Sequence, residues 1–180
     1  MKTSISMLFF LLFSLNVFSQ NIVIPKDTTF VAKATEFSYK VSLFSKVNRI
    51  SVETTETVFP PNEYDWKGAC KVLDYGERPS RVLKRHLQPY LKRVEDKEDE
   101  YIRLIQEWDL DGNLQYIRIS YPASLPLPLT VIEEMEKDMR VNCKRKITEI
   151  KDKKHINHID FYMEVTFYSL LNSNEPAEWL

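Results

Sequence analysis

The sequence predicts an α+β fold built on an antiparallel sheet. Three observations carry that expectation. In the closing stretch "HIDFYMEVTFYSLL", Ile159, Phe161, Met163, Val165 and Phe167 alternate with His158, Asp160, Tyr162, Glu164, Thr166 and Tyr168, the period of a half-buried strand. An Asp111-Gly112 dipeptide separates two runs of strand-forming residues. Between these features, "TVIEEMEKDMRVN" repeats its apolar residues at helical spacing. Residues 101–171 therefore read as a ββαββ half. Residues 20–100 read as a less regular half that adds strands and one or two further helices, all within a single domain spanning 20–180.

The chain starts with "MKTSISMLFFLLFSLNVFSQ": Lys2, an apolar run from Ile5 to Phe18, and small residues suited to cleavage before Gln20, with Val17 and Ser19 at the minus-three and minus-one positions. This is the pattern of a secretory signal peptide over residues 1–19. Removing 19 of 180 residues leaves 161, enough for one core. The only later long apolar stretch, "LPLPLTVI", is broken by prolines, so no membrane span is expected after cleavage.

"FVAKATEFSYKVSLFS" and "NRISVETTETVF" are rich in β-branched and aromatic residues and read as two or three strands. A helical stretch is expected from Glu63 to Leu73. A second, from Pro79 to Val94, has Val82, Leu83, Leu87, Tyr90, Leu91 and Val94 as its apolar stripe, with Pro79 suited to the first turn and Pro89 set to kink or end it.

The Asp-Gly turn defines a register. A two-residue loop that pairs Leu110 with Asn113 places Leu104 opposite Ile119, Gln106 opposite Ile117 and Ile102 opposite Tyr121, leaving Arg103, Glu107, Arg118 and Ser120 on the other face. "EWDLDGNLQYI" is thereby a turn and not a calcium loop. Counted from Asp109, an EF-hand would need glycine at its sixth position and glutamate at its twelfth, where Leu114 and Ser120 stand. After "YPASLPLPL", Thr130 and Glu133 form a capping box that starts the helix, with Leu129, Ile132, Met135 and Met139 on the core face and Glu133, Glu134, Lys137 and Asp138 elsewhere. "CKRKITEI" reads as a basic peripheral strand and "KDKKHIN" as a polar turn.

The succession strand, "DGNLQYIRI" strand, helix, "CKRKI" strand resembles the C-terminal domain of TonB over residues 101–150. That resemblance implies a periplasmic protein whose sheet edge accepts a partner's strand. The whole chain is similar to small exported bacterial proteins grouped as a domain of unknown function, which implies export.

Composition narrows the function. With 25 Lys plus Arg against 26 Asp plus Glu, the net charge is −1, becoming −2 once Lys2 is removed, and nothing points to nucleic acid as a partner. Three glycines, Gly68, Gly76 and Gly112, leave no P-loop or dinucleotide fingerprint. No G-x-S-x-G turn is present, and no cofactor is expected. His155, His158 and Asp160 could suggest a metal, but positions three apart on a strand face opposite ways. Arg78, Arg81, Lys84, Arg85, Lys92 and Arg93 could form an anion groove that the neighbouring "EDKEDE" would neutralise. Cys70 and Cys143 either pair, closing a loop of about 74 residues worth about 4 kcal/mol, or remain buried thiols.

Tyr116, Tyr162 and Tyr168 are the candidate ligand or partner surface, an aromatic platform unless other elements cover it. The expectation that follows is an exported, non-catalytic binding or envelope-associated protein. It would recognise an envelope protein through the unpaired backbone of the 143–150 strand, whose basic side chains could equally guard that edge. The competing class is a hydrolase acting on envelope glycans or peptides.

Overall fold

The computed structural model describes residues 27–176 apart from 56–58, 61, 64–65, 68, 92–99, 126 and 152–154. The expected signal peptide lies outside the described residues. Three strands come first: β1 (Thr28–Lys33), β2 (Ser38–Phe44) and β3 (Arg49–Thr54). Then follow β4 (Lys71–Asp74), helix α1 (Pro79–Leu91), β5 (Tyr101–Trp108), β6 (Leu114–Pro122), helix α2 (Leu129–Asn142), β7 (Arg145–Thr148), β8 (Ile159–Thr166) and helix α3 (Phe167–Asn172). The fold is α+β, as the alternation and helical spacing predict.

Six strands form one antiparallel sheet in the order β1-β2-β3-β6-β5-β8, while β4 and β7 pair separately. Period-two alternation gives this sheet two unlike faces. On one, Tyr39, Val52, Ile102, Leu104, Trp108, Ile117, Ile119 and Val165 are fully buried, and they meet Leu83 and Leu87 of α1, Ile132, Met135 and Met139 of α2, and Phe167 and Leu170 of α3 in a continuous core. Helices α2 and α3 both pack on α1, so the helical layer lies on that face. Of the stripe expected for α1, Val82, Leu83, Leu87 and Leu91 are buried and Tyr90 is half-buried, with Pro89 in the last turn; Val94 lies outside the described residues.

The central hairpin keeps its predicted register over most of its length: Leu104 faces Ile119 and Gln106 faces Ile117. Its turn differs. The Asp109 N–H donates to the Asn113 carbonyl at 3.0 Å, so the loop holds three residues, 110–112, with Gly112 at φ +85°. The cause is the Asp109 carboxylate, whose Oδ1 accepts from the amides of Asp111 at 3.0 Å and Asn113 at 2.8 Å, while Oδ2 accepts from Gln115 Nε2 at 2.8 Å. A bulge between Glu107 and Trp108 then restores the inner pairing. Glycine is required at 112 twice over: its φ is left-handed, and a Cβ there would fall 1.9 Å from the Arg145 carbonyl oxygen.

Helix α2 forms where predicted, but not with the predicted cap. Pro128 stands at the cap position without a side-chain bond. Glu133 is 2% exposed and reaches instead to the β1–β2 turn, accepting from the amides of Thr35 at 2.7 Å, Glu36 at 3.0 Å and Phe37 at 3.3 Å. Burial alone would raise its pKa; the Lys137 ammonium and these three amides outweigh it and hold the carboxyl at about 2. Glu136, also fully buried, accepts from the Tyr39 hydroxyl at 2.9 Å and Arg140 Nε at 2.9 Å. Two acids on the core side of a helix are stable here because every one carries its partners with it.

Three further expectations are corrected. Residues 71–73, the end of the stretch read as helical from Glu63, form part of strand β4. The last alternating run is a strand only to Thr166; its Oγ1 then accepts the Ser169 amide at 3.1 Å and caps α3, burying Phe167 and Leu170 three residues apart. Strand β7 does not join β8 in a common layer, since β8 pairs with β5 and β7 with β4.

Candidate functional site

The face of the sheet opposite the helices is open. Register places its outward side chains in transverse rows. One row runs Thr29, Ser42, Ser51, Ser120, Arg103, Glu164; the next runs Val31, Lys40, Glu53, Arg118, Ile105, Tyr162. Three serines side by side leave a trough, because their side chains are short and their neighbours are not. The result is a hollow of about 440 Å³ walled by Lys40, Arg49, Arg103, Arg118 and Tyr162.

Arg49 is the most constrained of the cations. It is 9% exposed, its Nη2 donates to the carbonyls of Ser120 at 2.8 Å and Tyr101 at 3.0 Å, and its Nε donates to the Ser120 hydroxyl at 3.2 Å. Its guanidinium lies 4.4 Å from the Tyr101 ring centroid, and that of Arg103 lies 4.8 Å from the same ring. Burial lowers its pKa. Among the described residues no carboxylate stands within ion-pair distance of Arg49, whereas the other three cations are paired. Lys40 and Arg118 share Glu53, at 2.6 and 2.5 Å, and Arg103 Nε donates to Glu164 at 2.6 Å. Four cations thus face two carboxylates.

Those carboxylates are committed. Glu53 also accepts from the Tyr116 hydroxyl at 2.7 Å. Burial pulls its pKa upward, and Lys40, Tyr116 and Arg118 together hold it below the usual range. The Tyr162 hydroxyl, followed by Arg103, keeps Glu164 low as well.

The tyrosines read from sequence do not form one platform. Tyr116 is 7% exposed, and burial followed by its bond to Glu53 raises its pKa. Tyr162 stands at the wall of the hollow, 42% exposed. Tyr168 projects from α3, the strand having ended two residues earlier. Part of the basic stripe of α1 is paired in place: Arg81 pairs with Glu175 and Arg85 with Glu77 and Asp138, while Lys84 donates to the Ser173 carbonyl at 2.6 Å. Lys92 and Arg93 lie outside the described residues.

Cys70 and Cys143 are free thiols, the first half-buried and the second buried. The β4–β7 register, Lys71 with Thr148 and Asp74 with Arg145, sets them beyond opposite ends of that ladder. The separation is about 20 Å, against a limit of about 7 Å between the Cα atoms of a disulfide. The histidines also diverge. His155 pairs with Glu63, His158 stacks on Phe59 at 5.0 Å, and Asp160 accepts from Trp66 Nε1 at 2.9 Å. Among the described residues no three His, Cys, Asp or Glu side chains are grouped to hold a metal ion.

Strand β7, within the edge expected at 143–150, pairs with β4 on one side and has no strand beyond it on the other among the described residues. Its Arg145 is buried, with the guanidinium 4.7 Å from the Trp108 ring centroid and 3.0 Å from Asp74.

Sequence reasoning found Arg103, Arg118 and Ser120 on one face of the hairpin but missed Lys40, Ser42, Arg49 and Ser51. Their signal was the same alternation in β2 and β3. What the sequence did not contain was the neighbourhood of β3 and β6, since 65 or more residues separate each paired position.

No protein-family profile and no curated protein sequence matches this chain. Its structure is similar to that of a DUF5043 family protein from Bacteroides uniformis, with a TM-score of 0.57 and 13% identity over 86% of this chain and 91% of that one. The likeness speaks for the fold. Its neighbour's domain of unknown function agrees with the kind of family expected from sequence.

Proposed function

We propose that this chain is an exported, non-catalytic binding protein that holds an anionic ligand on the open face of its sheet. The observation that carries the reading is Arg49: a guanidinium fixed by two backbone carbonyls, lacking a carboxylate partner among the described residues, at the wall of a trough floored by serine hydroxyls. Preorganised guanidinium groups and hydroxyl donors match the oxygens of a phosphate, sulfate or carboxylate. The carboxylates nearby are each held ionised by several donors, which suits them to position cations and makes them poor proton carriers at neutral pH. Export rests on the leader pattern of residues 1–19. Among the described residues no helix is long and apolar enough to cross a membrane.

Calorimetric titration of residues 20–180 with inorganic phosphate, sulfate and a uronate disaccharide tests the reading. Saturable binding that weakens at high salt and falls at least tenfold in Arg103→Gln/Glu164→Gln is expected. That double variant removes one cation and one acid together, so the net charge is unchanged. Absence of saturation with all three probes, or affinity indifferent to the substitutions, would sink it.

One observation favours the hydrolase reading. Glu107 faces Asp160 across the β5–β8 ladder, and burial raises the pKa of Glu107. Release of reducing sugar from envelope glycans, abolished by Glu107→Gln, would transfer the assignment to that pair.

A further inference from the structure

The two edges of the main sheet are treated differently. Alongside β8, Asn62 accepts the Asn157 amide at 2.7 Å and donates to the His158 carbonyl at 2.9 Å, Trp66 bonds Asp160, and Phe59 stacks on His158. Phe59, Asn62 and Trp66 therefore lie against that side. Strand β1, at the other end, has no neighbour beyond it among the described residues. Its side chains are exposed on both faces, Phe30 at 41% and Val31 at 64%. A flat strand with an open row of amides and carbonyls is a template for another strand.

The outward row can be identified. The Ala34 amide donates to the Phe37 carbonyl at 2.9 Å, so within the β1–β2 ladder the even-numbered residues of β1 turn their backbone groups toward β2. Thr29, Val31 and Lys33 therefore turn theirs outward. An incoming antiparallel strand must place its own outward residues opposite these three.

We propose that the occupant of this edge is β1 of a second copy, in the two-fold register that sets Phe30 against Phe30, Thr29 against Val31, and Asp27 against Lys33. Charge selects it. Asp27 and Lys33 bracket the strand with opposite signs, so antiparallel self-pairing in this register forms two cross-strand ion pairs, and the edge lacks the run of like charges that commonly guards such strands. Sliding by two residues also satisfies backbone parity, but it puts Lys33 opposite Thr29 and Asp27 opposite Thr35, and Phe30 loses its aromatic partner. The chosen register sets odd residues opposite odd ones, which keeps the two open faces on the same side of a continuous twelve-stranded sheet. On the reading of that face as a ligand surface, the β3 strands flooring the two hollows lie five strand spacings apart, about 24 Å, so that a repeating anionic polymer engages both.

Sedimentation velocity on residues 20–180, from 1 to 200 µM, tests the interface independently of any ligand. The expected result is a monomer that converts to a dimer with concentration. Val31→Pro removes an outward donor that serves no bond among the described residues and shifts the midpoint at least tenfold upward. Lys33→Asp alone and Asp27→Lys alone each remain monomeric, because their self-pairing opposes like charges, while an equimolar mixture of the two dimerises. A monomer at every concentration, a dimer untouched by Val31→Pro, or a mixture no more associated than its components would overturn the proposal. Circular dichroism of each variant establishes that it is folded. Loss of anion binding in an intact dimer would count against the ligand face and leave this interface standing.

Discussion

Glu133→Gln is the sharpest probe of how this fold is fastened. The side chain keeps its shape and loses its charge. In the parent, one buried carboxylate receives three consecutive backbone amides from the β1–β2 turn, at 2.7 to 3.3 Å, together with the Lys137 ammonium at 2.9 Å. Hydrogen bonds to a charged acceptor contribute about 1.5–3 kcal/mol each, and a glutamine carbonyl can retain only part of the set while its NH₂ group opposes the rest. The expected loss is about 3 kcal/mol at neutral pH, or about 6–12 °C in Tm for a chain of this length. Urea unfolding followed by tryptophan fluorescence measures it, and amide exchange locates it, with faster exchange through β1 and β2.

The pH dependence has a definite sign. Folding lowers the Glu133 pKa from its ordinary value of 4.5 to about 2, so its contribution is complete above about pH 4.5 and disappears as pH falls toward 2. The gap between parent and variant must therefore narrow on acidification across that window. Midpoints within 0.5 kcal/mol of each other at pH 7, or a gap that widens in acid, would refute the assignment of Glu133 as the latch of the hairpin.

Two other perturbations have clear outcomes. Gly112→Ala places a Cβ 1.9 Å from a backbone oxygen at a residue with positive φ, so a loss of about 2–4 kcal/mol is expected by chemical denaturation, and a change under 1 kcal/mol would deny the contact with β7. Thiol titration of the unreduced, denatured chain should count two reactive cysteines per molecule. A count of zero would mean that Cys70 and Cys143 have paired after all.

The α+β class, the inner register of the central hairpin, the apolar stripe of α1 and the core positions Ile132, Met135 and Met139 were legible in the sequence. Each depends on residues near one another in the chain, where periods of 2 and 3.6 decide which side chains can share a face. Elements that failed did so through partners far away. Glu133 looked like a local cap and is a tertiary latch, because three consecutive amides of the β1–β2 turn take its carboxylate as their acceptor in place of the helix start. Tyr168 looked like a strand residue and sits on a helix, because the Thr166 cap turns the chain where alternation alone would have continued it.

The open face shows the same division. Sequence alone assigned Arg103, Arg118 and Ser120 to one side of a hairpin. Only the insertion of that hairpin between β3 and β8 set Arg49 beside Tyr101 and lined up three serines across neighbouring strands. Alternation along a strand is written in consecutive residues; adjacency between strands is decided by which buried faces fit together under the helices, and that selection assembles the charged trough.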